Sequence, residues 1–102
     1  MAFDGKEGGE ITLQTGADLT ENYRSNNPGA TQGHFFGKDI LNEILEQTGC
    51  MGIRMYYGED GDGVKKMVLV GAKANEDDMT DLVADLSLPC PITCGRSNDL
   101  NS

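Results

Sequence analysis

The segment spanning residues 38–72 constrains the fold most, because a helical repeat is followed there by two strand-like repeats. Aliphatic side chains recur at helical spacing within residues 38–48, namely Ile40, Leu41, Ile44 and Leu45. The apolar pattern then changes to a period of two over residues 51–57, and residues 64–72 form a further apolar stretch. Turn-forming residues separate these two stretches, so we predict a helix followed by a β-hairpin.

Two further helices are predicted from capping residues. Thr15 is the predicted N-cap of a helix over residues 16–25, and Asn75 is the predicted N-cap of a helix over residues 76–86. The second of these carries apolar side chains at helical spacing, at Met79, Leu82, Val83 and Leu86.

The predicted fold class is α+β. A small antiparallel sheet is built on the 51–57/64–72 hairpin, with about three helices (16–25, 38–48, 76–86) packed on it. A third strand is expected from residues 11–13 or from the residues around Phe35.

A chain of 102 residues is expected to form one domain. We place that domain at residues 11–94. Residues 1–10, which are rich in Gly and Glu, are expected to form a flexible lead, and residues 95–102 a short polar tail.

The charge balance narrows the classes of partner. Eight Lys and Arg against seventeen Asp and Glu give a net charge of −9. Phosphate backbones and anionic lipids would repel such a chain, so neither nucleic-acid binding nor membrane binding is expected. No apolar run approaches the about 18 residues of a membrane span, and the N-terminus lacks the features of a secretory signal. The expected location is the cytoplasm, with signal-independent export left open.

The three cysteines allow three interpretations. Cys90 and Cys94 form a C-x3-C pair, and Cys50 stands at the start of the hairpin. Reduced thiols that pack as small apolar residues are favoured, and they imply no cofactor. The second interpretation is a disulfide between Cys90 and Cys94. The third is a zinc or iron site, with His34 joining the three cysteines as a ligand.

No set of residues indicates catalysis. A nucleophilic pair of Cys50 and His34 would need a third, orienting group, and none is evident. The acidic segment 59–63 is flanked by strands and lacks the spacing of an EF-hand, so we interpret it as a hairpin tip. No catalytic residue is predicted, and the chain is not expected to be an enzyme. A redox or hydrolytic enzyme is the least favoured hypothesis.

A two- or three-stranded sheet leaves an open edge, and an open edge favours association with another chain. The first hypothesis is therefore a non-enzymatic protein-interaction or self-assembly module, whose partner is another protein or a second copy. Its predicted interaction residues lie on the hairpin: Met51, Ile53, Met55, Tyr57, Val68 and Val70. The alternative is a small-ligand or metal-binding protein that uses Cys50, Cys90 and Cys94.

Four strings resemble a family of short bacterial proteins without an assigned activity. They are HFFGKDIL (34–41), CMGIRMYYG (50–58), VLVG (68–71) and CPITC (90–94). The resemblance extends from about residue 11 to residue 102. It implies a complete small protein without an obvious export signal, and it carries over no functional residue.

Overall fold

In a computed structural model, the chain is described from residue 2 to residue 101 and divides into two compact units. The sheet unit comprises residues 2–8 and 36–87, and the helix unit comprises residues 9–35 and 88–101. The elements along the described chain are α1 (Leu13–Asn26), β1 (Gly33–Phe35), α2 (Lys38–Leu45), β2 (Cys50–Glu59), β3 (Lys65–Lys73), β4 (Asp78–Ala84) and β5 (Leu88–Cys90). The α+β class is confirmed, whereas the single-domain boundaries at residues 11 and 94 stay a prediction.

The predicted helix and hairpin of the sheet unit are confirmed. Helix α2 begins at Lys38 as predicted and ends at Leu45, three residues before the predicted end. Strands β2 and β3 pair antiparallel, with Glu59 opposite Lys65 at the tip of the hairpin. Gly49, which lies between α2 and β2, has a φ of +86°, a backbone conformation that favours glycine.

The core of the sheet unit lies between α2 and one face of the sheet. Ile44 of α2 is completely buried, and it clusters with Leu69 of β3 and Ala84 of β4. Half-buried apolar residues surround this cluster, namely Phe36, Ile40, Leu41, Cys50, Ile53, Met67 and Leu82. The sheet follows the order β2-β3-β4, so β3 is the central strand and β2 and β4 are the edges.

The helix predicted over residues 76–86 is wrong, because this segment contains strand β4. Asn75 does not cap a helix. Its side chain accepts a hydrogen bond from the backbone N–H of Asp77, and Glu76 adopts a φ of +76°. The backbone N–H of Glu76 donates to the carbonyl of Lys73, which closes a tight turn between β3 and β4. Pairing with β3 therefore prevails over a helical pattern that carries several Asp residues, which are poor helix formers.

The helix unit contains α1 and a second sheet. Helix α1 begins earlier than predicted, because Thr12, not Thr15, is its N-cap and accepts a hydrogen bond from the backbone N–H of Thr15. Leu13 therefore belongs to the helix, and the strand expected at residues 11–13 is absent from the described chain. The strand expected around Phe35 is present as β1, but it pairs with β5 in a sheet of two strands.

Candidate functional site

The candidate site is the outer edge of β2 in the sheet unit. Strand β2 is ten residues long, and within the described chain β3 is its only partner strand. Three consecutive side chains in its second half are exposed: Met55 (58%), Tyr56 and Tyr57 (92%). Large apolar side chains adjacent on an unpaired edge are typical of a surface that accepts another strand.

The six predicted interaction residues do not form one surface. The β2–β3 register places Met55 opposite Leu69 and Tyr57 opposite Met67, on the face that carries the core. Because side chains alternate between the two faces of a sheet, Val68 and Val70 project from the other face. Val70 is buried (3% exposed), and Val68 is half-buried. Only Met55 and Tyr57 of the predicted set are exposed on the edge strand.

Met51 departs from the alternation that the sequence predicts. The register between β2 and β3 shifts between Cys50 and Gly52, so Met51 has no partner in the ladder. Met51 instead lines a groove of about 340 Å³ together with Ile53 and the N-terminal segment, and the full lining comprises Phe3, Gly5, Glu7, Met51, Gly52, Ile53, Arg54 and Ala72.

Residues 3–5 lie against the sheet, although the sequence predicts a flexible lead over residues 1–10. The backbone N–H of Phe3 donates to the carbonyl of Ala74 over 2.8 Å. The Phe3 ring lies under the Arg54 guanidinium, with 5.3 Å between the guanidinium carbon and the ring centroid. The N-terminal segment therefore helps to hold the first half of β2.

A polar cluster ties the two edge strands together across β3. Arg54 of β2 forms an ion pair with Asp78 of β4 and donates to the carbonyl of Glu76. Tyr56 Oη donates to the second carboxylate oxygen of Asp78 over 2.5 Å. The hydrogen bond from Tyr56 and then that from Arg54 hold the pKa of Asp78 below its usual value, and the same carboxylate raises the pKa of Tyr56.

Sequence reasoning missed this cluster, although the sequence held one signal for it. The period of two over residues 51–57 predicts that Arg54 and Tyr56 lie on the same face of β2, and the register confirms this. Asp78 lies in the first turn of the helix predicted over residues 76–86, so the sequence predicts no contact between Asp78 and β2.

The structure gives Cys90 and Cys94 as a disulfide, so the favoured interpretation of reduced thiols is wrong for this pair. Their sulfurs carry no thiolate, so the ligand set predicted with Cys50 and His34 does not form in this structure. Among residues 2–101, no three His, Cys, Asp or Glu side chains come together in a way that could hold a metal ion. Cys50 is a free, half-buried thiol whose Sγ donates to the carbonyl of Gly52.

Comparison with protein-family models, with curated proteins and with solved structures finds no match to this chain. The resemblance to short bacterial proteins therefore stays a prediction. None of the described helices combines the length and the apolar character needed to cross a membrane.

Proposed function

We propose that this protein is a non-enzymatic protein-interaction module, to which another polypeptide chain adds along the outer edge of β2. The supporting observation is the run of three exposed side chains, Met55 to Tyr57, on an edge strand that pairs on one side only within the described residues. In strand addition, main-chain hydrogen bonds provide affinity and the alternating side chains provide specificity. Methionine and tyrosine suit this role because both offer apolar contact area that adapts to a partner.

The difference between the two edges of the sheet supports this choice of strand. From Gly52 to Glu59, β2 follows β3 residue by residue without a register shift. In β4, by contrast, Met79 pairs with Gly71 and Val83 pairs with Val70, so three residues of β4 lie between neighbouring positions of β3. Interruptions of this kind protect an edge from pairing with other chains. β2 is therefore the edge suited to a partner.

A photo-crosslinking amino acid at position 57 tests the proposal in cells of the source organism. Tyr57 is 92% exposed, so its replacement is not expected to disturb folding. Ile92 is 94% exposed and lies in the helix unit, so a crosslinker at position 92 is the matched control. We expect discrete protein adducts from position 57 that position 92 does not give. No adducts at position 57, or the same adducts at both positions, would contradict strand addition at β2.

A further inference from the structure

The exposed part of β2 is arranged symmetrically about Tyr56. Its neighbours Met55 and Tyr57 are the two most exposed large apolar side chains of the strand. The strand also carries one positive and one negative side chain, Arg54 and Glu59, so its own charges balance in a chain whose net charge is −9. A strand that is neutral and has similar apolar groups on both sides of its midpoint can pair with itself.

Self-pairing of two antiparallel edge strands has a simple geometric requirement. Two copies related by a twofold axis perpendicular to the sheet place one residue opposite its own equivalent. All remaining pairs of opposed residues then join two side chains that lie on the same face of the continuous sheet. With Tyr56 on the axis, Met55 of each copy lies opposite Tyr57 of the other. This register therefore forms two contacts between a Met55 thioether and a Tyr57 ring, and these contacts cover the two most exposed apolar side chains of β2 in both copies.

Neighbouring registers are less favourable. An axis at Arg54 would bring two guanidinium groups together, and like charges directly opposite each other are destabilising. An axis at Tyr57 would place the exposed Met55 opposite the carboxylate of Glu59, whereas with Tyr56 on the axis Glu59 lies opposite the half-buried Ile53 and Met55 keeps Tyr57 as its apolar partner. An axis at Met55 would place Tyr57 opposite the half-buried Ile53, so the contact between Met55 and Tyr57 would be lost.

We infer that the partner at this edge is a second copy of the chain, paired antiparallel through β2 with Tyr56 at the twofold axis. This inference rests on the proposed function and names its partner. The contact surface is one strand wide, so it belongs to the small, weak class of interfaces, and we expect association at micromolar or higher concentrations.

Site-directed disulfide crosslinking of the purified full chain tests the register, in a Cys50→Ser background that removes the free thiol. Directly opposed residues of an antiparallel pair have Cα atoms about 4.5–5.5 Å apart, which suits a disulfide. We expect a Tyr56→Cys variant to form covalent dimers under mild oxidation. Thr80→Cys, exposed on β4, is the control and should stay monomeric.

A second pair of variants keeps the test independent of the Tyr56 hydrogen bond. Met55→Cys mixed with Tyr57→Cys should give more covalent heterodimer than either variant gives homodimer. A dimer that crosslinks equally at all these positions would overturn the register. The protein could instead remain a monomer in sedimentation at all concentrations while specific adducts still form at position 57 in cells. That result would overturn the inference that the partner is a second copy and would leave the proposed function standing. The absence of dimers in sedimentation together with the absence of adducts at position 57 in cells would overturn the proposed function itself.

Discussion

Replacement of Gly71 by alanine should destabilise the sheet unit because helix α2 lies too close to β3 for a side chain at this position. A Cβ built on Gly71 would lie 2.9 Å from Cys50 Sγ, 3.0 Å from Gln47 Nε2 and 3.3 Å from Ile44 Cγ2. Overpacking of this kind costs about 1–3 kcal/mol. The loss of glycine flexibility in the unfolded chain offsets about 0.4–1 kcal/mol. We therefore expect a net loss of about 1–2 kcal/mol.

The cause of this loss can be isolated with a double-mutant cycle. Cys50→Ala removes the sulfur that makes the closest contact with the new methyl group. The remaining contacts are with the end of the flexible Gln47 side chain and with Ile44 Cγ2, which must shift by a few tenths of an ångström. In the Cys50→Ala background, Gly71→Ala should therefore cost close to nothing. The coupling energy between positions 50 and 71 should be about 1–2 kcal/mol.

Urea unfolding of the four proteins, followed by circular dichroism, gives the required free energies of unfolding. The thermal midpoint should change in parallel, by about 4–8 °C for each kcal/mol in a domain of this size. An equal cost of Gly71→Ala in both backgrounds, within about 0.5 kcal/mol, would refute the steric explanation. A stabilising effect of Gly71→Ala alone would refute the close approach of α2 to β3.

Three further perturbations have definite expected outcomes. Leu86 is 95% exposed with a φ of +60°, so Leu86→Gly should raise the free energy of unfolding by about 1 kcal/mol, whereas the control Leu86→Ala should not. The pKa of Asp78 is lowered in the folded state, so the ionised Asp78 carboxylate stabilises the protein at neutral pH, and this stabilisation is lost as the pH falls below about 4. The difference in urea midpoint between wild type and Asp78→Asn should therefore shrink as the pH is lowered through this range. Reduction of the Cys90–Cys94 disulfide, which closes a short loop, should cost the helix unit about 2 kcal/mol, measured as faster hydrogen exchange in β1.

The periodicity of the sequence was sufficient for α2 and for the β2–β3 hairpin. Both elements have their apolar residues at one clear period, and the residues that end them are local in sequence. Strand β4 could not be predicted in this way. Met79, Leu82 and Val83 fit a helical face, and they also fit a strand whose register is interrupted between Met79 and Val83. Only the pairing with β3 distinguishes the two, and that pairing is not encoded in a local pattern.

The candidate site was predicted in part for the same reason. Met55 and Tyr57 follow from alternation along one strand. Both are exposed, whereas Ile53 on the same face of β2 packs against the core cluster. The apolar run over residues 67–70 is typical of a central strand, and β3 is the central strand of the sheet. A central strand buries side chains on both of its faces, so Val70 is buried and cannot belong to an edge surface. The cluster of Arg54, Tyr56 and Asp78 was missed because it joins two strands that are separated by a third.

The salt dependence of self-association tests whether two copies of the chain pair through strands whose charges balance. Each copy carries a net charge of −9, so two copies repel each other while the paired strands contribute no net charge. The Debye length falls from about 30 Å at 0.01 M salt to about 10 Å at 0.1 M, which screens this repulsion and leaves contacts at the paired edge almost unchanged. The dissociation constant of the dimer, measured by sedimentation, should therefore decrease as salt is raised over this range. A dissociation constant that increases with salt would instead indicate that the two copies attract each other through opposite charges, and it would contradict pairing through a strand whose own charges balance.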